Sequence, residues 1–489
     1  MPGVIRRLAL PLVLATAAGG AGLQACAADR AADMAPGPAR ESAYGVPATP
    51  VLSARRIPVF LQAPVADRIL VAELDSVVGK LPAGSCVSVA EHGRVLYAYR
   101  PEDPLVPAST QKLLTALAAL EVFGPDHVFT TRVVTRIPPV DGRIDGDIWL
   151  VGGGDPLLMT TDYAERFEDP FPYTDMDRLA AHVASTGVTL VTGAIIGDES
   201  RFDSLRWVDT WPERFRAGAQ NQAGPLSALS VNAGFAKWDP SNISNGFSTP
   251  ASDPAAHGAA VFDDMLEDRG LAIRRPAQAG IVPGDANMEL GRVESPPVRD
   301  IVAQMLVGSD NTTAELLIKA LAAAQAPPGT SIGGVIALVG ALGGNGHSSD
   351  GLVVNDGSGL DPGNLVTCRF MTGLLEDTEH GPELLEALPV AGRSGTLRER
   401  LVGTAAEGRM RAKTGSLRDV VSLVGAVETL TGRTLAFAVV TNAEGSGAQV
   451  KALHDRVVLG LVPYPDGPPL ELLGPLPIRG ADGGTGSRS

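Results

Sequence analysis

One serine and one lysine in this 489-residue chain are spaced so that they could form a nucleophile and its base. Ser109 and Lys112 lie three positions apart in an Ala- and Leu-rich stretch that predicts the start of a helix, and Pro107 suits a chain entering it. Residues three apart on a helix lie side by side. The apolar positions that follow are expected to bury this helix, so Lys112 loses hydration and its pKa falls. Its neutral amine can then take the proton of the Ser109 hydroxyl, beside the positive potential of the helix N-terminus.

Lysine is rare in this sequence, which makes each occurrence informative. Only six of the 40 basic residues are lysines, and arginine cannot become a neutral amine at ordinary pH. A lysine that remains can therefore mark a position where an amine is needed. Two of the six fall in suggestive motifs, since Lys112 ends the only Ser-x-x-Lys of the chain and Lys413 begins its only Lys-Thr-Gly.

Lys413-Thr414-Gly415 precedes a predicted antiparallel strand pair, so we expect this triplet to lie on a strand. Gly415 removes a side chain and lets a ligand approach the backbone. The side chains of Lys413, Thr414 and Ser416 could together hold a carboxylate. We also predict that the backbone N–H groups of Ser416 and Ser109 form an oxyanion hole.

Two Ser-x-Asn triplets could complete such a site. Such a triplet supplies a hydroxyl that relays protons and an amide that holds a substrate carbonyl. Ser309-Asp310-Asn311 lies between two predicted helices, near the return to the first domain, and we prefer it for that reason. Ser230-Val231-Asn232 fits the same pattern and is the competing candidate.

The composition argues against several classes of function. The formal net charge is −15 and no basic run occurs, which argues against nucleic-acid binding and against electrostatic adhesion to an anionic membrane or wall. The stretch Gly152–Pro156 is glycine-rich, but it lacks the residues of a phosphate-binding loop and the dinucleotide spacing, so we interpret it as a structural loop. We predict no metal and no cofactor.

The three motifs, in this order, resemble the penicillin-interacting serine enzymes. The long interval between the first two is similar to that of the D-Ala-D-Ala carboxypeptidase/endopeptidase family, the class C low-molecular-mass penicillin-binding proteins. The resemblance covers residues 80–462. Further stretches agree with it, namely Pro107-Ala108-Ser109, Gly153-Gly154-Asp155-Pro156, Asp356-Gly357-Ser358-Gly359-Leu360 and Lys413-Thr414-Gly415-Ser416-Leu417.

This resemblance implies an α+β fold of the penicillin-binding and serine β-lactamase type, an antiparallel sheet flanked by helices plus a helical lobe. We place this transpeptidase-like domain at residues 71–131 and 291–463, with a strand-rich inserted domain at 132–290. Alternating residues predict that its first strands, Ser85–Glu91 and Arg94–Tyr99, form a hairpin.

The resemblance also implies a reaction on peptidoglycan stem peptides. Ser109 would attack the carbonyl of the penultimate D-Ala with Lys112 as base, and water would then hydrolyse the acyl-enzyme. Ser309 and Lys413 would pass the proton to the leaving group, while Asn311 positions the substrate. β-Lactams would acylate the same serine and be released slowly.

Recognition of the stem-peptide side chain is the least defined part of this prediction. The inserted domain of the family can contact that side chain, and Asp198 is our candidate for the contact. The family often has a basic residue soon after Asp-Gly-Ser-Gly-Leu. Asp361-Pro362 stands there instead, so we expect side-chain recognition to differ.

Three alternative functions stay open. A Ser-His-Asp hydrolase is disfavoured, because the chain has no Gly-x-Ser-x-Gly and none of its seven histidines lies in a catalytic motif. A serine β-lactamase shares the three motifs but needs a device for fast deacylation, and no Glu-containing signature follows Ser309. A non-catalytic envelope binding protein on the same fold would have little reason to keep Ser109, Lys112 and Lys413.

The start of the chain predicts export. Residues 1–27 have the pattern of a secretory signal peptide, with a lipidated Cys26 as the competing interpretation. We expect residues 28–70 to be a disordered lead or tether and residues 464–489 a disordered tail.

Two cysteines remain outside the signal segment, Cys86 in a predicted strand and Cys368 in a predicted helix. In an exported protein two such cysteines most simply form a disulfide, and two free buried thiols are the alternative.

Overall fold

Two sheets and a group of helices position the candidate residues. The structure, a computed structural model, describes residues 52–475 except 168–169, 217, 243–244, 345–349, 378 and 446. Its helices are α1 Val59–Val78, α2 Lys112–Phe123, α3 Thr161–Ala164, α4 Met176–Ser185, α5 Pro254–Glu267, α6 Val298–Gly308, α7 Asn311–Gln325, α8 Ser331–Gly344, α9 Cys368–Leu375, α10 Gly381–Glu386, α11 Gly447–Leu461 and α12 Leu470–Leu473.

The strands are short in the middle of the chain and long near its end. They are β1 Ser85–Glu91, β2 Arg94–Tyr99, β3 Thr130–Thr135, β4 Arg143–Ile144, β5 Ile148–Val151, β6 Leu158–Met159, β7 Thr174–Asp175, β8 Leu190–Val191, β9 Ile195–Asp198, β10 Phe235–Lys237, β11 Thr249–Pro250, β12 Ala272–Ile273, β13 Gln278–Ala279, β14 Met288–Glu294, β15 Met410–Leu417, β16 Val420–Glu428 and β17 Thr434–Asn442.

The sheet that carries Lys413 is antiparallel, with strand order β15-β16-β17-β1-β2. Successive side chains point to opposite faces of a strand, and both faces of β1 are buried. Val87 and Val89 pack in one core with Leu74 of α1 and Leu461 of α11, whereas Cys86 belongs to the core on the other face. The sheet is therefore covered by helices on both sides, and the predicted fold class is confirmed.

Two predictions that involve the first strands are confirmed. The hairpin has the predicted bounds, and β1 pairs with β2 from Val87 to Glu91 with one register shift. Cys86 of β1 and Cys368 of α9 form a disulfide across 282 positions of sequence, which fastens α9 to the sheet.

The helical lobe is built around α2, whose first nine residues, 112–120, are all buried. A helix that is apolar on every side needs partners on every side. Residues of α6, α7 and α8 supply them, because Met305, Leu317 and Leu338 share one core with Leu113 and Leu117 of α2. This packing removes Lys112, the first residue of α2, from solvent.

The segment between the two parts of the predicted transpeptidase domain is strand-rich, as expected. Its five-stranded sheet has the order β13-β9-β5-β3-β14 and mixes parallel with antiparallel pairs. The strands that enter and leave the segment, β3 and β14, are antiparallel neighbours. The chain thus leaves the lobe and returns to it at adjacent positions; the domain bounds themselves stay predictions.

The predicted disorder is wrong for residues 59–70 and 464–475. Residues 59–70 belong to α1, because Ala66, Leu70 and Leu74 repeat at helical spacing and are buried against the sheet. At the other end Tyr464 is buried, its hydroxyl donates to Asp67 Oδ1 at 2.8 Å, and α12 follows. The prolines and glycines of residues 464–475 predict an irregular tail, and the contact of Tyr464 with Asp67 that orders it is between residues far apart in sequence.

Other predictions about the chain ends lie outside the described residues. These are the signal peptide at 1–27, the lipidation of Cys26, the tether up to residue 51 and the tail from residue 476. Among the residues that the structure describes, none of the helices has the length and hydropathy needed to span a bilayer.

Candidate active site

Ser109 lies in a short 3-10 turn, Ala108–Gln111, that leads directly into α2. Ala108, the residue before it, has φ +50°, a left-handed conformation that residues with a Cβ seldom adopt. Gly359 lets its own backbone pack closely against this turn, since a Cβ on Gly359 would lie 1.9 Å from the Ala108 carbonyl oxygen. The sequence predicted the helix start but not the constrained backbone beside Ser109, a feature that clusters at functional sites.

Lys112 is fully buried, and its Nζ points back to Ser109. It donates to Ser109 Oγ at 3.3 Å, to Asn311 Oδ1 at 2.6 Å and to the Ser358 carbonyl oxygen at 2.6 Å. Among the described residues no carboxylate forms an ion pair with it. Burial lowers the pKa of Lys112 to about 8, although the nearby Asp356 charge opposes the change. At a pKa of about 8, roughly a tenth of the amine is neutral at pH 7.

Ser309 and Asn311 are placed by the junction of two helices. Ser309 ends α6 in a left-handed conformation with φ +56°, and Asp310 caps α7 by accepting from Thr313 N at 3.1 Å. Asn311 then begins α7, so that its amide oxygen faces Lys112 while Nδ2 donates to the Gln222 carbonyl at 2.7 Å. The middle residue of the triplet is thus a helix cap.

Lys413 lies on β15 and is also fully buried. Its Nζ donates to Ser309 Oγ at 2.8 Å and to the Thr414 carbonyl at 2.9 Å. Burial, and after it the charge of Lys112, hold the pKa of Lys413 well below its ordinary value. The second lysine therefore adjoins the second serine, as Lys112 adjoins Ser109.

The sequence predicts that Gly415 lets a ligand approach the backbone, but in the structure it lets two protein segments approach each other. A Cβ there would lie 2.1 Å from Ser422 Oγ and 3.1 Å from Ser109 N, so the glycine lets β15 lie against the turn that contains Ser109. Ser422 Oγ in turn donates to the Pro107 carbonyl at 2.6 Å. Ser416, the next residue of β15, is exposed and reachable by a ligand.

Thr414, the remaining side chain of the Lys-Thr-Gly motif, contacts a residue that lines a cavity. Thr414 Oγ1 donates to Thr396 Oγ1 at 3.0 Å, and Thr396 lines a cavity of about 690 Å3 together with Ser309 and Asn311. Part of the opposite wall comes from the inserted segment, through Tyr163, Phe167, Phe171, Asn221 and Gln222. Ser309 and Asn311 thus line this cavity, and each is hydrogen-bonded to one of the two lysines, Ser309 to Lys413 and Asn311 to Lys112.

The loop Asp356–Leu360 contributes a backbone carbonyl to the site, a role that its sequence motif does not show. Asp356 accepts from Gly359 N at 2.8 Å, from Asp361 N at 2.8 Å and from Trp211 Nε1 at 2.8 Å. These bonds fix the loop so that the Ser358 carbonyl meets Lys112. A backbone carbonyl has no side-chain signature, so only the repeated glycines of this stretch could have indicated it.

Asp361 replaces the basic residue that the family often has near this position. It is buried, and its Oδ1 accepts from Gly363 N at 2.6 Å and from Asn355 Nδ2 at 3.2 Å. Its carboxylate therefore holds the loop together.

The structure does not bring the competing triplet to the site. Asn232 has φ +55°, and its Oδ1 accepts from Thr160 N at 2.8 Å and Thr160 Oγ1 at 3.2 Å. Ser230-Val231-Asn232 therefore forms a turn within the inserted segment, and Ser309-Asp310-Asn311 is the triplet beside Lys112.

Asp198 likewise has its hydrogen-bond partners within the inserted segment. It ends β9, and its two oxygens accept from Ser200 N at 2.7 Å and Val282 N at 2.6 Å. It lines a second cavity of the inserted segment together with Ser200 and Arg201. The carboxylate was assigned to a ligand because sequence alone does not reveal that two backbone N–H groups occupy it.

The fold and the site together define a serine acyl hydrolase of the penicillin-binding type. The model of the D-Ala-D-Ala carboxypeptidase 3 (S13) family matches residues 70–246 and 240–459. A D-alanyl-D-alanine carboxypeptidase from Actinomadura is 32% identical over 76% of this chain and 79% of its own. A carboxypeptidase from Mycobacterium tuberculosis is 32% identical over 78% of this chain and 80% of its own. The chain therefore belongs to the D-Ala-D-Ala carboxypeptidase 3 (S13) family.

The fold has a solved counterpart as well. The crystal structure of penicillin binding protein 4 from Haemophilus influenzae superposes with a TM-score of 0.65 at 23% identity. The match covers 79% of this chain and 98% of that one.

Proposed function

We propose that this protein is a serine-type D-Ala-D-Ala carboxypeptidase that cleaves peptidoglycan stem peptides through an acyl-enzyme on Ser109. One observation carries the proposal, namely that the fully buried Lys112 amine lies 3.3 Å from the Ser109 hydroxyl without a carboxylate partner among the described residues. A buried amine without a counter-ion is the form of lysine best suited to take a proton.

Acylation follows from these contacts. Neutral Lys112 takes the Ser109 proton as Oγ attacks the carbonyl carbon of the penultimate D-Ala. The backbone N–H groups of Ser109 and Ser416 stabilise the oxyanion, and Gly415 allows the strand and the turn to approach each other closely enough. The C–N bond then breaks, and the terminal D-Ala leaves as a neutral amine after gaining a proton.

The pair of Lys413 and Ser309 relays to that nitrogen the proton that Lys112 took from Ser109, so that Lys112 is neutral again for deacylation. Lys413 Nζ already donates to Ser309 Oγ, so a proton can pass along this hydrogen bond to the departing nitrogen. Thr414 and Ser416 supply hydroxyls for the substrate's terminal carboxylate beside the same lysine. Water then hydrolyses the acyl-enzyme and restores the Ser109 hydroxyl.

The same nucleophile accounts for binding of β-lactams, whose strained amide would acylate Ser109 in place of the peptide. We further propose that the protein is exported by the signal segment 1–27, because its substrate lies outside the cytoplasm. Endopeptidase activity on cross-linked peptides is included, since it breaks the same kind of amide bond.

Labelling with a fluorescent penicillin tests the assignment. The wild-type protein should form a stable adduct that is lost in Ser109→Ala, whereas Ser230→Ala, in the competing triplet, should label normally. Rapid release of the label would indicate a serine β-lactamase, and absence of any adduct would indicate a non-catalytic binding protein. Digestion of purified muropeptides, read by mass, separates the two peptidase activities, because trimming removes one D-Ala and endopeptidase action converts dimers into monomers.

A further inference from the structure

A carboxyl group that the mechanism above does not use lies directly behind Lys112. Glu315 of α7 is fully buried, and its Oε1 accepts from Gly357 N at 3.1 Å and from Ser358 N at 2.7 Å. Its Oε2 is buried as well and has no hydrogen-bond partner among the described residues. A buried carboxyl with one unused oxygen is costly, so its retention calls for an explanation.

Glu315 holds two of the groups that bind the catalytic amine. The Ser358 peptide donates its N–H to Glu315, while the Ser358 carbonyl accepts from Lys112 at 2.6 Å. Asn311 lies one helical turn before Glu315 on the same face of α7, and its amide oxygen also accepts from Lys112. Movement of the Glu315 side chain would therefore displace acceptors of the Lys112 amine.

The electrostatic position of Glu315 also affects the charge of that amine. Burial and the charge of Asp356 raise the pKa of Glu315 to about 8, close to the value for Lys112. An ionised Glu315 favours the protonated amine, and a neutral Glu315 favours the amine that can act as a base. Two groups that titrate in one range influence each other's proton loss.

Other charges face the two groups from the surrounding elements. Lys112 also faces Asp310 of α7, Asp356 of the supporting loop and Lys413 of β15. Glu315 also faces Asp356 and, one turn along α7, Lys319, whose ion pair with Asp203 compensates its charge.

We propose that Glu315 is a positioning residue that orients the Ser358 carbonyl toward Lys112 and sets the pH range in which Lys112 accepts the Ser109 proton. The proposal rests on the function proposed above, since it assumes that Lys112 is the base. Glu315 itself does not touch the reacting atoms.

The decisive variant is Glu315→Gln, which removes the charge and keeps an oxygen that can accept from the Gly357 and Ser358 N–H groups. The acylation rate with a fluorescent penicillin is measured between about pH 6 and pH 10, a range that spans the titration of Lys112. Without the anion, Lys112 loses its proton more readily. The rising limb of the plot of acylation rate against pH should therefore move to lower pH by about half a unit to one unit. A limb at the wild-type position would overturn the electrostatic part of the proposal.

Glu315→Leu tests the positioning part, because it removes the acceptor of both N–H groups. Acylation per folded molecule should fall by about 10- to 100-fold, and Glu315→Gln should recover most of it. Folded protein is quantified by circular dichroism. A Leu variant that is less stable but acylates normally when folded would contradict the proposal.

Glu91→Gln is the matched control, since Glu91 is a buried glutamate that pairs with Arg433 on the main sheet. It should lose stability and leave the pH limb in place; a shifted limb there would mean that any buried glutamate moves it and would overturn the assignment to Glu315. If the wild-type protein forms no adduct at all, the proposed function fails and this inference fails with it. If the wild-type limb is present and Glu315→Gln leaves it unchanged, only the inference fails.

Discussion

Two buried lysines of this protein lie on neighbouring helices in different surroundings. Lys112 of α2 and Lys319 of α7 are both fully buried. Lys319 Nζ forms an ion pair with Asp203 Oδ1 at 2.5 Å and donates to the Leu205 carbonyl at 2.6 Å. Lys112 instead binds a hydroxyl, an amide oxygen and a backbone carbonyl. Burial is thus common to both residues, and the partners differ.

The difference separates an amine held by a carboxylate from an amine whose hydrogen-bond partners are all uncharged. Burial lowers the pKa of both amines, but the hydrogen bond and charge of Asp203 oppose the change at Lys319. At Lys112 the opposing carboxylates, Asp356, Glu315 and Asp310, act only from a distance. A direct carboxylate keeps an amine protonated and fixes two segments together, whereas neutral acceptors hold an amine in place and leave it able to lose its proton.

The largest expected effect comes from Lys112→Arg. Arginine keeps the positive charge but cannot act as a base, so acylation by a fluorescent penicillin should fall by about 10^3-fold or more. Circular dichroism should show a folded protein. Labelling at the wild-type rate would refute the role of Lys112.

Lys319→Met should have the opposite effect. The protein should lose stability, and its acylation rate should change little. It leaves Asp203 without its cation, and breaking a largely buried pair of this kind costs about 3 kcal/mol in free energy of unfolding. The second change Asp203→Asn should recover much of that loss, and denaturant unfolding of the four proteins of this cycle measures the coupling. Additive losses, or a folded Lys319→Met protein that fails to label, would contradict the comparison.

The smallest effect concerns pH. Because a protonated amine cannot accept a proton, the acylation rate should rise with pH and level off above about 8, the pKa of Lys112. Below that value the rate should fall about tenfold for each unit of pH. In Lys319→Met the limb should stay in place, since the Lys319 pair does not take part. Stopped-flow acylation across the pH range provides the measurement, and a flat profile would exclude Lys112 as the titrating base.

The sequence alone was sufficient wherever residue types or local spacing carry the information. The three motifs singled out Ser109, Lys112, Ser309 and Lys413 by residue type, and the structure brings them together as two hydrogen-bonded pairs. The hairpin of β1 and β2 was predicted with its bounds, since alternation and a His-Gly turn are local signals. The disulfide followed from there being only two cysteines outside the signal segment.

Tertiary structure decided everything that depends on contacts between distant segments. Asn311 meets Lys112 across 199 positions of sequence, and the Ser358 carbonyl does so across 246, through packing of α2 against α7 and a backbone group without a side-chain signature. Asp198 is an equally plausible carboxylate on paper, yet the fold supplies it with backbone N–H partners. Residue types and local spacing show which chemical groups a chain has. The charge, partners and accessibility of those groups depend on how distant segments pack around them.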